Sequence, residues 1–424
     1  MYKPELLAPA GDFEKLKVAF AYGADAVYLG GRTLGMRANA KNFGFDDLGN
    51  CVFYAHSLGK KVYVTANIFA HNADFTGMSE YFIALAEMGA DALIVSDLGV
   101  FQLAREVVPQ MEIHISTQAN CTNYNAAKFW QNAGTSRVIL ARELSLGEIK
   151  EIHGHNPDLH LEAFVHGAMC MAYSGRCLIS NYLKDRDANR GACIQPCRWN
   201  YKLVPPSAYP VPPSAYLVEE KSGERLPVIE DDGGTYIFNA RDLCMIRHIP
   251  ELLSAGIRSF KIEGRMKTSY YVAATVKTYR EAIDDYFTDP ELYKSKLDHY
   301  QSEIDRIGQP PFSTGFYFGK VTGDDHAYKG DSRETQQDFL AIVEGYDDKR
   351  DLYLAEQRNK FSVGDKIEIL RPGKPDFTQI IDALYDDEGK PILSAPHPKQ
   401  KVYVKLETPA ERYDILRRAK PEKI

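Results

Sequence analysis

Cys170, Cys177, Cys193 and Cys197 fall within 28 residues, spaced Cys-x6-Cys-x15-Cys-x3-Cys. Thiols gathered this densely have three chemical uses: binding a metal ion, binding an iron–sulfur cluster, or exchanging as redox-active dithiols. Structural zinc sites show tight paired knuckles, and only Cys193/Cys197 has such a spacing here. Irregular spacing suits an iron–sulfur cluster, whose ligands need only converge on a larger cube. The expectation is therefore an iron–sulfur cluster on these four cysteines, with Zn2+ as the alternative. Cys244 is a reserve ligand, whereas Cys51 and Cys121 read as packed core residues.

A second constellation rides on short apolar runs, in which alternate residues point to opposite faces. In Ser259–Arg265, Phe260 and Ile262 share the apolar face, leaving Lys261, Glu263 and Arg265 on the other. In His160–His166, Leu161, Ala163 and Val165 face one way and Glu162, Phe164 and His166 the other. The same alternation selects His114, Ser116 and Gln118, and then Tyr63, Thr65 and Asn67. Polar groups buried together must be paired or must serve a ligand, because desolvating them costs free energy. Glu162, His166, Lys261 and Glu263 are the candidate acid/base groups. Asn67, Ser116 and Gln118 are candidate substrate contacts. Arg37, Arg142 and Arg265 follow such runs, and guanidinium forks match carboxylates, so these are the candidate clamps for a carboxylic acid. Bland readings stand beside them: Glu162 simply pairing with Lys261, His114 as a satisfied core histidine, the arginines as surface ion-pair partners.

The cysteine-rich stretch is also basic, and Tyr173, Tyr182, Trp199 and Tyr201 are interspersed in it. Cations beside aromatics can grip a phosphate backbone and stack a splayed base, which makes Arg176, Arg190, Arg198 and Lys202 candidate RNA contacts. Asp185 and Asp187 interrupt the run, so a solvated face reads equally well.

Such constellations need a scaffold that gathers several strand ends. Eight runs qualify: Glu5–Ala8, Ala26–Leu29, Lys61–Ala66, Ala92–Val95, Glu112–Ser116, Arg137–Leu140, His160–Val165 and Ser259–Ile262. Amphipathic stretches such as Phe13–Tyr22 and Met78–Met88 separate most of them. The phrases Gly23-Ala-Asp-Ala26 and Gly89-Ala-Asp-Ala92 each read as a helix stop followed by strand entry. The pattern predicts an α/β fold, a (β/α)8-type barrel, over an open doubly wound sheet, because no Gly-x-Gly-x-x-Gly turn follows the first run. More than 90 residues separate the seventh and eighth runs, an insertion of about 167–258 that holds the cysteine cluster. It includes the repeat Val204–Tyr209 and Val211–Tyr216, which reads as an extended surface connection. The barrel domain is expected over 1–320. From about 330 to 424 short alternating strands and the turn residues Gly364, Gly373 and Glu388-Gly389 predict a small C-terminal antiparallel β-barrel, a candidate RNA-positioning module.

Composition sets the outer bounds. At 424 residues, 44% hydrophobic and 26% charged, the chain is neither disordered nor collagen-like. A net charge of -7 confines any RNA contact to a local patch. With no apolar leader and no window long enough to span a membrane, the expectation is a cytoplasmic protein with no membrane contact. Seven cysteines in a reducing compartment argue against a disulfide framework.

The run Glu162-Ala-Phe-Val-His-Gly-Ala-Met-Cys170-Met-Ala-Tyr-Ser-Gly-Arg-Cys177-Leu-Ile-Ser180 resembles the signature of the U32, collagenase-like peptidase family. Leu7–Gly11, Ala24–Gly30 and Lys261–Arg265 extend the resemblance across the first domain, and the C-terminal region is similar to that family's small barrel. Arg190-Gly-Ala-Cys-Ile-Gln-Pro-Cys-Arg198 is similar to the family's bacterial tRNA-hydroxylating members. The resemblance implies prephenate-dependent formation of 5-hydroxyuridine at the wobble position of tRNA, and a [4Fe–4S] cluster on Cys170, Cys177, Cys193 and Cys197. It implies tRNA and prephenate as partners, with an electron donor and a family paralogue as further candidates. Relatives act on 23S rRNA or in oxygen-independent ubiquinone hydroxylation, and a relative of the latter kind would not need the C-terminal barrel. The family's name supplies the rival reading, a protease or collagenase with Cys170 as nucleophile and His166 as base. Neither a His-Glu-x-x-His motif nor a Gly-x-Ser-x-Gly elbow is present, and four clustered thiols suit one selective nucleophile poorly.

Overall fold

The computed structural model describes residues 2–31, 43–170, 172–173, 176–184, 186, 188–199, 201–204, 215–219, 225–228, 241–308, 311–321 and 337–419. Eight parallel strands form a closed barrel: β1 (Glu5–Pro9), β2 (Ala26–Gly30), β3 (Lys61–Ala66), β4 (Ala92–Val95), β5 (Glu112–Ile115), β6 (Arg137–Ile139), β7 (His160–Gly167) and β8 (Ile257–Ile262). Consecutive strands pair from β1 to β8, and β8 returns to β1 through Glu5 opposite Ser259. All eight expected runs are strands, and the closed order rules out the open sheet.

The repeated Gly-Ala-Asp-Ala phrase has a physical explanation. Gly23 and Gly89 take φ of +105° and +82°, a region that disfavours any Cβ, and each ends its helix. The Ala24 and Ala90 N–H groups reach back to the Ala19 and Leu85 carbonyls, closing the Schellman loop. The following aspartates tie the new strand to its neighbour. Asp25 accepts the Leu6 N–H at 2.9 Å, and Asp91 accepts the Val62 N–H at 2.8 Å. One four-residue phrase therefore stops a helix and sets a strand's position in the barrel.

The insertion after β7 contains the short helix Ile179–Lys184 and an antiparallel sheet of Tyr201–Val204, Ala215–Glu219 and Arg225–Val228. The tandem repeat lies mostly outside the described residues; its two ends fall in the first two of these strands. The insertion rejoins the barrel through Leu243–Cys244, which runs antiparallel to β7. Residues 311–321 are tied to the same wall and are not a free linker. The Cys244 N–H donates to the Ser313 carbonyl at 2.9 Å, and the Tyr317 hydroxyl donates to the Phe164 carbonyl at 2.6 Å.

Beyond Gln337 an eight-stranded antiparallel sheet curls around its own core of Leu340, Val343, Phe361, Ile369 and Val404. It docks firmly on the barrel's outer helices. Arg417, fully buried, donates to Glu303 and Glu368 at 2.9 Å each, joining the helix Leu297–Ile307 to the sheet. The Tyr22 hydroxyl donates to the Leu370 and Tyr413 carbonyls at 2.9 and 3.0 Å. Among the described residues no helix is long and apolar enough to cross a membrane.

Candidate active site at the barrel mouth

Inward-facing side chains form two layers. In the lower layer Glu162, fully buried, accepts Lys261 Nζ at 2.7 Å and Arg137 Nη1 at 2.9 Å. Glu5 accepts the same Arg137 atom at 2.5 Å and the Tyr63 hydroxyl at 2.6 Å. Ser259 donates to Glu5 at 2.9 Å and to Glu162 at 3.3 Å. Two carboxylates face two cations, so the layer carries no net charge in a place where an unpaired charge would be very costly. Burial alone would push the Glu162 carboxyl up; the charges of Lys261 and Arg137 outweigh it and hold Glu162 at about 2.

Above this layer opens a cleft whose polar wall is Thr65, Asn67, Ser116 and Gln118. Lys261, Glu263 and Arg265 from β8 and the loop after it add the charged groups of the lining, against the rings of Tyr28 and Phe164. Asn67 Nδ2 donates to Ser116 Oγ at 3.2 Å and to Gln118 Oε1 at 3.0 Å, while Ser116 also bonds Gln118. Lys261 Nζ lies 4.5 Å from the Tyr28 ring centroid and 5.4 Å from that of Phe164, so its charge stands between two aromatic faces. The Tyr28 hydroxyl donates to the Ile262 carbonyl at 2.9 Å and lies 3.4 Å from Glu263 Oε2.

Two glycines are needed for Arg265 to sit where it does. A Cβ on Gly30 would stand 2.9 Å from both terminal guanidinium nitrogens, and one on Gly11 would meet the Arg265 carbonyl at 2.1 Å. Arg265 is buried, with Nη1 donating to Thr65 Oγ1 at 3.1 Å. The LAPAG, VYLG and KIEGR runs of the sequence thus meet at one residue, Arg265, the first at its carbonyl and the second at its guanidinium.

The mouth gathers Asn67, Ser116, Gln118, Lys261, Glu263 and Arg265 as the strand alternation predicted, and three other candidates fall elsewhere. Glu162 lies beneath the cleft and does not line it. His166 is turned out of the barrel. Phe164 lies opposite Lys261 but His166 opposite Ile262, so Val165 is an extra, bulged residue that reverses the facing. The imidazole is buried among Tyr271, Tyr279 and Phe312, where burial pushes it down to about 4 and keeps it neutral. Arg142 stands at the rim, donating to the Ala168 carbonyl at 2.7 Å and lying 4.8 Å from the Phe164 ring. Arg37 lies outside the described residues. Alternation carried through β1 and β6 to Glu5 and Arg137 would have found the lower layer, since each opens its strand on the inward face.

In the loop after β7, Cys170, Cys177, Cys193 and Cys197 are half-buried and form no disulfide. Burial raises the Cys177 thiol, and the nearby Cys170 and Cys193 raise it further; the Ile179 and Ser180 N–H groups oppose this by hydrogen bonding to its sulfur. The Gln195 N–H donates to Cys193 Sγ at 3.4 Å. Thiols that would repel one another as thiolates, with sulfurs already receiving backbone N–H groups, are a donor set that fits an iron–sulfur cluster. Among the described residues no three His, Cys, Asp or Glu side chains converge tightly enough to hold a single metal ion. Cys244, the expected reserve ligand, is buried on the short strand that rejoins the barrel. It pairs in the ladder with His166, lies 4.0 Å from the Tyr279 hydroxyl on the outer wall, and burial pushes its thiol up to about 12. Cys51 and Cys121 are buried core residues.

Of the basic residues in this loop, Arg190 is engaged by Asp74, and Arg176, exposed, lies 5.0 Å from the Phe69 ring. The side chains of Arg198 and Lys202 lie outside the described residues. No hydrogen bond joins Cys170 to His166 among the described residues, so the nucleophile–base pair of a cysteine peptidase is not formed there.

A parallel barrel with a polar mouth at its C-terminal end, a thiol-bearing loop after its seventh strand and a docked, curled antiparallel sheet define the class. The model of peptidase family U32 matches residues 11–327, and that of the U32 C-terminal domain matches 335–417. The chain belongs to peptidase family U32. It is 38% identical to tRNA hydroxylation protein P1 of Bacillus subtilis, over 99% of this chain and 95% of that protein. It is 39% identical to tRNA hydroxylation protein P of Escherichia coli, over 99% and 97%. The 23S rRNA 5-hydroxycytidine C2501 synthase of Escherichia coli is 37% identical over 67% of this chain and 40% of that protein.

Proposed function

We propose that this chain is an RNA hydroxylase whose product is 5-hydroxyuridine at the wobble position of tRNA, formed with prephenate as co-substrate. The observation that carries the reading is end-to-end similarity, through both domains, to proteins named for tRNA hydroxylation. The similarity to an rRNA hydroxycytidine synthase over a smaller part supports hydroxylation of an RNA base as the shared chemistry. The mouth agrees with a dicarboxylate. Arg265 offers a fork for one carboxylate and Lys261 a fixed point charge for the other, with Arg142 at the rim and Asn67 and Gln118 to orient the polar ring. Among the described residues Glu263 is the one carboxylate on the cleft lining, which makes it the group to accept or return a proton there.

Cys170, Cys177, Cys193 and Cys197 would hold the cluster, and an iron–sulfur cluster bound there supplies one-electron chemistry. Glu162 holds the Lys261 ammonium upright, and the rings of Tyr28 and Phe164 flank it. The experiment is a comparison of tRNA nucleosides by mass spectrometry between a strain lacking this chain and any family paralogue and the same strain carrying it. Return of 5-hydroxyuridine and its derivatives is expected, and their absence from both strains overturns the tRNA reading.

A further inference from the structure

The thiol loop is fastened to the barrel rim through Asp74. Asp74 lies in the turn Asn72–Phe75 after β3, in the stretch that begins at Asn67 of the cleft wall. Its two carboxylate oxygens receive the two terminal nitrogens of Arg190 at 2.6 Å each, and Arg190 Nη1 also donates to the Phe69 carbonyl at 3.3 Å. The carboxylate is itself held in place by the His71 N–H at 2.7 Å. Arg190 ends the turn Ala188–Arg190, just ahead of Cys193. Beyond it, the Ile194 N–H donates to Ser180 Oγ at 3.1 Å, which ties the Cys193 segment to the helix that follows Cys177. Arg176, beside Cys177, rests over the Phe69 ring. Both halves of the thiol set therefore meet the short stretch Phe69–Asp74.

We propose that Asp74 is the positioning residue of the cysteine loop: its bidentate pair with Arg190 holds Cys193 and Cys177 in a fixed relation to the barrel mouth. A bidentate guanidinium–carboxylate pair has one geometry, so it transmits orientation and not merely attraction. The pair is partly shielded, with side chains 35% and 16% exposed. Arg190 thereby has a structural task that its position in a basic loop did not disclose. The functional consequence rests on the cofactor reading above, but the positional claim does not.

The test uses the full-length chain as wild type, Asp74→Asn, Arg190→Lys and the swapped pair Asp74→Arg/Arg190→Asp. Iodoacetamide alkylation of Cys177 and Cys193 in the iron-free protein is followed by peptide mass spectrometry, and iron release to a chelator is followed in the iron-loaded protein. Each single variant is expected to alkylate faster by about five-fold or more with an unchanged melting temperature, and the swap to recover at least half of that loss. Release of iron should quicken in the same order. A rate in Asp74→Asn within about two-fold of wild type overturns the proposal, as does a swap that recovers nothing. A chain that binds no iron but still shows the alkylation pattern refutes the cofactor reading and leaves the latch standing.

Discussion

Lys261 and Arg137 share Glu162 inside the barrel, one on each carboxylate oxygen, at 2.7 and 2.9 Å. Lys261 also faces the cleft, so the charge it presents to a ligand is fixed by a carboxylate no ligand touches. On the proposed function Glu162 is therefore a positioning residue, and its replacement has consequences for both stability and binding.

Glu162→Gln removes one partner from a buried network and leaves two cations facing one remaining carboxylate, Glu5. Breaking a buried pair in this way costs about 3–5 kcal/mol. Urea unfolding at neutral pH should register that loss in the midpoint, and a shift smaller than about 1 kcal/mol would show that water reaches this layer.

Arg265→Lys keeps the charge but loses the fork. If Arg265 holds a prephenate carboxylate, the KM for prephenate should rise by about 10- to 100-fold with a smaller effect on kcat. Gly30→Ala should act in the same direction, because its new methyl would press on both guanidinium nitrogens. Product formation measured against prephenate concentration separates the two parameters. An unchanged KM in both variants removes Arg265 from the binding site.

His166 gives the fold a pH dependence with a definite sign. Its folded value lies near 4, below the ordinary 6.5, chiefly because burial opposes its charge; Asp242 partly offsets this and Lys267 adds to it. The unfolded chain then binds the proton more readily, so stability is complete above about 6.5 and is lost as the pH falls towards about 4. Replacing His166 by Phe should flatten the stability curve of the variant across that window. Thermal unfolding of both proteins in a pH series measures the difference.

The strand runs were legible because the barrel buries both faces of each strand end and repeats the same punctuation, as at Gly23 and Gly89. The cleft wall was legible because alternation is enforced by pleating. His166 was not, since a single bulged residue at Val165 undoes alternation and nothing local in the sequence marks it. The Arg190–Asp74 pair joins residues 116 apart, a distance over which only the folded barrel decides who meets. In the C-terminal sheet the strand Ile415–Ala419 carries Arg417 and Arg418, so its sequence alone reads as solvated. Arg417 is instead buried, its charge matched by Glu303, Glu368 and Asp376.

The seven cysteines divide by environment, and that division can be measured. Cys170, Cys177, Cys193 and Cys197 are half-buried, and the sulfurs of Cys177 and Cys193 accept backbone N–H groups. Cys244 lies behind β7 beside Tyr279, where burial keeps it a thiol. Changing any one of the first four to Ser should lower the iron and acid-labile sulfide recovered after anaerobic purification, because a hydroxyl is a poor ligand for a soft cluster. Cys244→Ala should retain the full iron content and lose about 1 kcal/mol of stability from the small cavity it leaves. Loss of iron in Cys244→Ala alone would move the site to the outer wall. Stoichiometric zinc without sulfide in the wild-type protein would replace the cluster by a metal ion on the same thiols.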